Sequence, residues 1–406
     1  LFMVFAITYI ITLGAYPLLD LDETRYVTMA RDMFQNHDYM TLYMNGNYFF
    51  EKPPLFFWLE NFSFWLFDSI DEISARFPVV FLSLLPFSLL YALSEKIKNK
   101  KFAFLNCAIL LTSLEYILIT KMAILDGVLT SLVTSSVLCY FYTFFVEDKN
   151  KKYFWWLTYV FSALAVLAKG IPGVAIPAII IIASSIIFKT QKETLKNLPI
   201  GIVLFLLIAL PWHILMLNKY GSLFFDEYII KHHIARFLGS EIINRQEPVW
   251  FYAVTLLWGL FPWVFSLVFD FISKVKNKKF KIDLSNNYNK FITLNIIAIC
   301  SIFLFFTSSG TKLITYILPI FPFFAVIIGS IWYKYVFEKE EVKSVKYSIV
   351  LINSIFALVL LVAPFMGLFL PDDIYLKLKS IQILSIIIIG IYLIFSIISL
   401  KQNKKF

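Results

Sequence analysis

Twelve stretches of the chain are apolar enough, and close to long enough, to cross a membrane, and this constrains the fold more than any other feature. A bilayer core of about 30 Å takes roughly 20 apolar residues of helix. The runs fall near 1–19, 76–93, 102–120, 126–146, 153–169, 171–188, 198–217, 249–270, 291–308, 312–333, 347–370 and 380–400. Composition agrees: 60% of residues are hydrophobic, 16% are charged, and the mean hydropathy is +0.78. A soluble domain is about 45–50% apolar and about 25% charged. A soluble enzyme, a disordered chain, a disulfide scaffold and a nucleic-acid binder are therefore excluded. Cys107, Cys139 and Cys300 lie inside apolar runs, where packing accounts for them.

The expected fold is an all-α polytopic membrane protein of about 12 transmembrane helices. The whole chain, 1–406, is expected to form a single transmembrane domain without a soluble C-terminal domain. The first run lacks a basic leader and a small-residue cleavage site, so it reads as a membrane helix rather than a signal peptide.

Lysines sort by side. They cluster at 96–101, 149–152, 189–196, 274–290, 334–346 and 401–405, after every second run. The positive-inside rule makes that side, and both termini, cytoplasmic. The net charge of +9 thus follows from topology. The arginines break the pattern: Arg25, Arg31, Arg76, Arg236 and Arg245 all fall on the outer side, near which lie His37, His213, His232 and His233. Arginine recognises phosphate or carboxylate through its fork of donors. The outer boundary is therefore where function is expected.

Two outer segments stand out, about 20–75 and 218–248. The first opens Asp22-Glu23-Thr24-Arg25-Tyr26. Its stretch 24–34 has amphipathic helical spacing, with Tyr26, Met29, Ala30 and Met33 on one side, and is expected to lie in the interface. Asn45-Gly46 between aromatic flanks predicts a hairpin. Glu51-Lys52-Pro53-Pro54 follows, held extended by its prolines so that Glu51 and Lys52 face apart. Residues 55–67 can form a second interfacial helix. In the second segment, α-helical winding would place His233 at i,i+3 and His232 at i,i+4 from Arg236. Shorter outer turns add Lys121 and Asp126, Lys169-Gly170 and Thr311-Lys312.

Each signal has a plainer reading. Asp22, Glu23 and Asp126 could cap helices. Lys52, Lys169 and Lys312 could snorkel to the interface. His232 and His233 could be ordinary loop residues. Their concentration on one face favours function, because ionisable groups at a membrane boundary are costly. Lysine and arginine suit the phosphate of a lipid, carboxylates suit deprotonation of an acceptor or metal binding, and interfacial helices suit a lipid tail. A transferase working outside the cell needs a donor already activated on a lipid, such as a polyprenyl-phosphate sugar. An Asp would then be general base and the cations would hold the leaving phosphate.

The motifs Asp22-Glu23-x-Arg25-Tyr26, Glu51-Lys52-Pro53-Pro54, Asp126, Ala168-Lys169-Gly170, His233-x-x-Arg236-Phe237 and Lys312-x-x-x-Tyr316-x-Leu318-Pro319 resemble the GT-C glycosyltransferases. The nearest branch holds the ArnT-like aminoarabinose transferases of lipid A and the bacterial relatives of protein O-mannosyltransferases (PMT). The resemblance spans nearly the whole chain and implies a GT-C-like bundle. It implies that Asp22 is the base and Asp126 a second acid, with Glu23 beside them. Glu51 with His233, or its neighbour His232, would bind a divalent metal such as Zn or Mg. Lys52 and Arg236 would hold the polyprenyl phosphate, and Arg25, Lys169, Lys312 and Tyr316 would line the donor site. The partners would be a polyprenyl-phosphate-linked sugar, membrane lipid and a periplasmic acceptor: lipid A, a polysaccharide or a protein. The location would be the bacterial inner membrane with the site facing the periplasm. Two rival readings stay open on the sequence: a twelve-helix secondary transporter and a non-catalytic lipid-binding subunit.

Overall fold

The computed structural model describes residues 9–10, 12–19, 21–238, 247–277, 284–362, 365, 382–383, 386–394 and 396–397. The expectations placed on Arg245 and on parts of the first and last apolar runs lie outside them. The chain forms two compact units, one of residues 1–260 and 282–329, the other of 261–281 and 330–406.

Among the described residues the fold is all-α but for one short hairpin. Among the described residues six helices are long and apolar enough to cross a membrane: Glu72–Ile97, Leu125–Tyr142, Gln191–Tyr220, Asn287–Ser308, Ile314–Val336 and Lys343–Val362. Asp148–Lys169 and Pro172–Phe188 are further helices where apolar runs were expected. Two expected runs are broken. The run at 102–120 divides at Thr112 and Ser113, whose hydroxyls bond back to the Ala108 and Ile109 carbonyls, at 2.6 and 2.8 Å. Such bonds compete with the helix ladder. The run at 249–270 divides between Phe251–Gly259 and Val264–Lys276, around Pro262, which has no N–H to continue a helix.

Leu125–Tyr142 is the central helix of the first unit. It packs on Glu72–Ile97, Asp148–Lys169 and Pro172–Phe188 and is buried along nearly its whole length. Gly127, Ser131 and Ser135 let neighbours approach closely. Ser136 ties it sideways to the Thr158 carbonyl at 2.7 Å. Gln191–Tyr220 is the opposite case. It exposes Leu206, Leu207, Leu210, Ile214 and Leu215, which is stable in lipid and not in water.

The segment 20–75 contains both expected helices. Glu23–Asn36 buries Tyr26, Val27, Met29, Ala30 and Met33. Leu55–Phe67 buries Glu60, Asn61 and Ser63 among phenylalanines and exposes Phe62, Trp65 and Leu66. Polar residues inward and apolar residues outward suit a helix at a lipid surface. Between the two helices, Tyr43 pairs with Tyr48 and Met44 with Asn47. Asn45 and Gly46 have φ +51° and +77°, as a two-residue hairpin of this twist requires. In the second unit, Val264–Lys276 packs on Lys343–Val362, with the Trp332 indole N–H donating to Ser266 Oγ at 3.0 Å.

Candidate active site

One cavity of about 350 Å³ in the first unit collects the cationic candidates. Lys52, Lys169, His232, His233, Arg236 and Tyr316 line it, with an apolar wall that includes Leu129, Phe305 and Phe306. The six polar residues come from four separate segments, each of which the charge pattern of the sequence assigns to the same side of the membrane.

Lys52 is delivered by the hairpin and the Pro53-Pro54 corner. It is only 9% exposed. Burial, Arg236 and Lys169 push its ammonium down to about 7, against the opposing pull of Glu51 and Asp126. Lys169 ends the Asp148–Lys169 helix and is ion-paired to Asp126, at the start of the central helix. Its Nζ also lies 4.4 Å from the Tyr316 ring centroid. Arg236 places a buried Nε without a partner at this cavity, while its carbonyl accepts from Thr311 Oγ1 at 2.9 Å.

The histidines sit on an unusual helix. Phe225–Ala235 is wound as a π-helix, so residues five apart share a face. His232 Nε2 lies 3.5 Å from Glu227 Oε2, and the His233 ring stands edge-on to Tyr228 at 4.6 Å. The α-helical spacing expected from sequence does not hold. His213 Nδ1 donates to the Ala209 carbonyl at 2.7 Å, so its Nε2 accepts from the Tyr228 hydroxyl at 3.1 Å. Tyr228 is thereby fixed behind His233. Gly170, at φ +83°, lies against the His233 ring and the Tyr228 hydroxyl, and no side chain fits there. His233 Nε2 is buried and unpartnered, and burial, Lys52 and His232 push the ring down to about 3. It is a neutral group at the wall of this cavity.

Glu51 and Lys52 both bear on His232. Glu51 Oε2 lies 3.8 Å from His232 Nδ1, and Lys52 lines the cavity wall that His232 shares. It is thus His232, rather than His233, that meets Glu51. Among the described residues no three His, Cys, Asp or Glu side chains gather to hold a metal ion. Glu51 and His232 are the pair that could contribute to holding a metal, and no step below passes through one.

The remaining candidates fall elsewhere. Glu23 is wholly buried, paired with Arg76 at 2.8 Å and remote from any role as a free base. Lys312 donates to the Ser309 and Glu247 carbonyls at 2.9 and 3.0 Å and lies outside the cavity lining. Asp22 precedes the Glu23–Asn36 helix without capping it. It is 65% exposed and 3.3 Å from Arg25. Arg25 donates to the Tyr26 hydroxyl at 2.8 Å and covers that ring. Burial raises the Tyr26 phenol, Arg25 opposes this, and the charges of Asp126 and Asp22 both add to it. The two candidate acids therefore bear on one ring. Sequence reasoning assigned no role to Tyr228, and it named Gly170 within a motif without foreseeing its contact with His233. The five-residue spacing of Tyr228 and His233 was the available signal for the first.

A family model, dolichyl-phosphate-mannose-protein mannosyltransferase (PMT), matches residues 1–225. The undecaprenyl phosphate-alpha-4-amino-4-deoxy-L-arabinose arabinosyl transferase of Yersinia enterocolitica is 28% identical over 317 residues, 78% of this chain and 55% of that protein. Its namesake from Photorhabdus laumondii is 27% identical over 351 residues, 86% of this chain and 60% of that protein. The chain therefore spans little more than half the length of these relatives. The crystal structure of ArnT from Cupriavidus metallidurans bound to undecaprenyl phosphate superposes over 100% of this chain and 72% of its own, with TM-score 0.81 and 20% identity. The archaeal oligosaccharyltransferase AglB from Archaeoglobus fulgidus matches with TM-score 0.50 and 11% identity over 86% of this chain and 53% of its own. At such identities the likeness is one of fold. The family model covers more than half of the chain, which belongs to the dolichyl-phosphate-mannose-protein mannosyltransferase (PMT) family.

Proposed function

We propose that this protein is a glycosyltransferase that moves a sugar from a polyprenyl-phosphate carrier to an acceptor outside the cytoplasmic membrane. The observation that carries the reading is the cavity itself. Lys52, Lys169 and Arg236 converge on one space whose other wall is apolar. That combination fits a phosphate joined to a prenyl chain, because buried cations need an anion and the chain needs hydrocarbon. The names of the arabinosyl transferase relatives support an undecaprenyl-linked donor. Of lipid A, a polysaccharide and a protein, lipid A is the acceptor to test first.

In this mechanism Asp22 takes the proton of the acceptor hydroxyl. The acceptor oxygen bonds to the anomeric carbon as the bond from that carbon to the phosphate oxygen breaks. The electron pair leaves with the polyprenyl phosphate, whose charge Lys52 and Arg236 meet. Asp126 holds Lys169 at the same wall, and Lys169 rests on Tyr316. The metal stands as a separate proposal: Glu51 and His232 would be the protein groups that hold it, and it would help neutralise the donor phosphate. Metal analysis of the purified protein tests it.

The proposed topology is a GT-C-like bundle of about 12 spans, with Glu23–Asn36 and Leu55–Phe67 interfacial. Both termini would be cytoplasmic and the cavity would face the periplasm of a bacterial inner membrane. In a cysteine-free background, Asn47→Cys should react with an impermeant thiol reagent from outside and Lys149→Cys should not. The converse pattern overturns the orientation. Transfer itself is tested with a radiolabelled polyprenyl-phosphate sugar and lipid A. Label should move to the acceptor, and Asp22→Asn should slow this by about 10²–10⁴-fold. Uptake into vesicles without transfer would contradict the reading.

A further inference from the structure

Among the wholly buried side chains described, Arg76 is the largest. It lies near the start of the Glu72–Ile97 helix, and every nitrogen of its guanidinium is used. Nε and Nη2 donate to the two oxygens of Glu23, both at 2.8 Å. Nη1 donates to the Leu13 and Tyr16 carbonyls at 2.6 and 2.8 Å, and Nη2 to the Pro17 carbonyl at 3.0 Å. The Tyr16 ring covers the guanidinium at 3.9 Å.

Glu23 has further partners. Oε2 accepts the Leu19 N–H at 2.8 Å and Oε1 the Ala123 N–H at 2.7 Å. Burial opposes its charge, but Arg76 and these two N–H groups hold the carboxylate below its usual range. Glu60 is wholly buried too, and burial together with the Glu23 charge pushes its own carboxyl well up. One carboxylate thus joins four pieces of chain: the exit of the first apolar run, the Glu23–Asn36 helix, the Glu72–Ile97 helix and the turn at 121–124.

Both candidate acids hang on that joint. Asp22 adjoins Glu23 in sequence, and Asp126 follows Ala123 by three residues. We infer that Arg76 and Glu23 are positioning residues for the transfer reaction, fixing Asp22 and Asp126 relative to one another without touching substrate. A buried fork bonded at every nitrogen has one geometry, whereas Asp22 is exposed and, among the described residues, pairs with Arg25 at 3.3 Å. Transfer is sensitive to misplacement of about 1 Å, with losses of about 10²-fold. The phosphate grip comes instead from Lys52, Lys169 and Arg236, none of which bonds to this pair.

The inference rests on the proposed reaction, and the test separates the two. Arg76→Ala leaves Glu23 buried without a counter-charge and is expected to unfold. Glu23→Asp is the informative variant, because it keeps the charge but cannot span Arg76, Leu19 and Ala123 together. With purified full-length protein, a polyprenyl-phosphate sugar and lipid A, Glu23→Asp should lower kcat at least tenfold. Donor affinity, measured with undecaprenyl phosphate, should stay within about twofold. Arg76→Lys, which keeps the charge and loses the fork, should behave alike. Unchanged kcat in Glu23→Asp, with Asp22→Asn inactive, overturns the positioning role alone. A parallel fall in kcat and donor affinity also overturns it, since the pair would then be ordinary core. Full activity in both Asp22→Asn and Asp126→Asn overturns the assignment of the reacting acids and the positioning role with it.

Discussion

Lys169 carries its ammonium 4.4 Å from the centre of the Tyr316 ring while paired to Asp126. A lysine so placed is neither a lipid-surface anchor nor a free charge. The carboxylate fixes one side and the ring face the other, and under the proposed function its cavity side would meet the donor phosphate. Tyr316→Phe keeps the ring and should leave undecaprenyl phosphate affinity within about threefold. Tyr316→Leu removes a contact of about 0.5–2 kcal/mol and should weaken binding by about two- to thirtyfold. Equal behaviour of the two variants in a binding titration would show that the ring face plays no part.

Lys52 gives the site a pH dependence whose sign is fixed. Its ammonium, pushed down to about 7, is charged below that pH and neutral above it. A sugar phosphodiester keeps one negative charge throughout, so the titration belongs to the protein. Arg236, Lys169, Glu51 and Asp126 also act on Lys52, while His233, at about 3, is neutral across the range. Donor binding should therefore be strongest below pH 7 and weaken above it, by up to about tenfold per pH unit. Lys52→Arg, charged at every accessible pH, should flatten the curve. A flat curve in the unaltered protein would place the Lys52 ammonium well above 7.

Gly170 is the third test. Its φ of +83° is costly for any side chain, and a methyl there would strike His233 and the Tyr228 hydroxyl. Gly170→Ala should cost about 1–3 kcal/mol of stability through strain. It should also weaken donor binding, because His233 must leave the cavity wall. His233→Ala should reproduce the second effect without the first. Thermal melting and lipid titration on both variants read this out.

Much of the architecture is legible in the sequence because lipid imposes it. Apolar length finds the spans, and the Asn45-Gly46 turn and the Pro53-Pro54 corner are local chemistry. The convergence of Lys52, Lys169, Arg236 and Tyr316 is also foreshadowed, since the charge pattern of the sequence assigns all four to the lysine-poor side. Three features are not legible. The π winding of Phe225–Ala235 changes which residues share a face, and nothing in a run such as Ile229-Ile230-Lys231-His232 announces it. Glu23 resembles Asp22 in sequence, yet one is wholly buried and the other exposed, which depends on a partner 53 positions away. Lys312 looks like another phosphate ligand until the Ser309 and Glu247 carbonyls claim its ammonium.

The central claim is that Lys52 and Arg236 grip a polyprenyl phosphate, and equilibrium binding of undecaprenyl phosphate tests it most directly. A hydrogen bond to a charged group contributes about 1.5–3 kcal/mol. Lys52→Ala and Arg236→Ala should therefore each weaken binding by about ten- to a hundredfold. Arg236→Lys should recover only part of the loss, because an ammonium does not reproduce the fork. Binding that is unchanged in both alanine variants, in protein that still melts like the unaltered chain, would contradict the account.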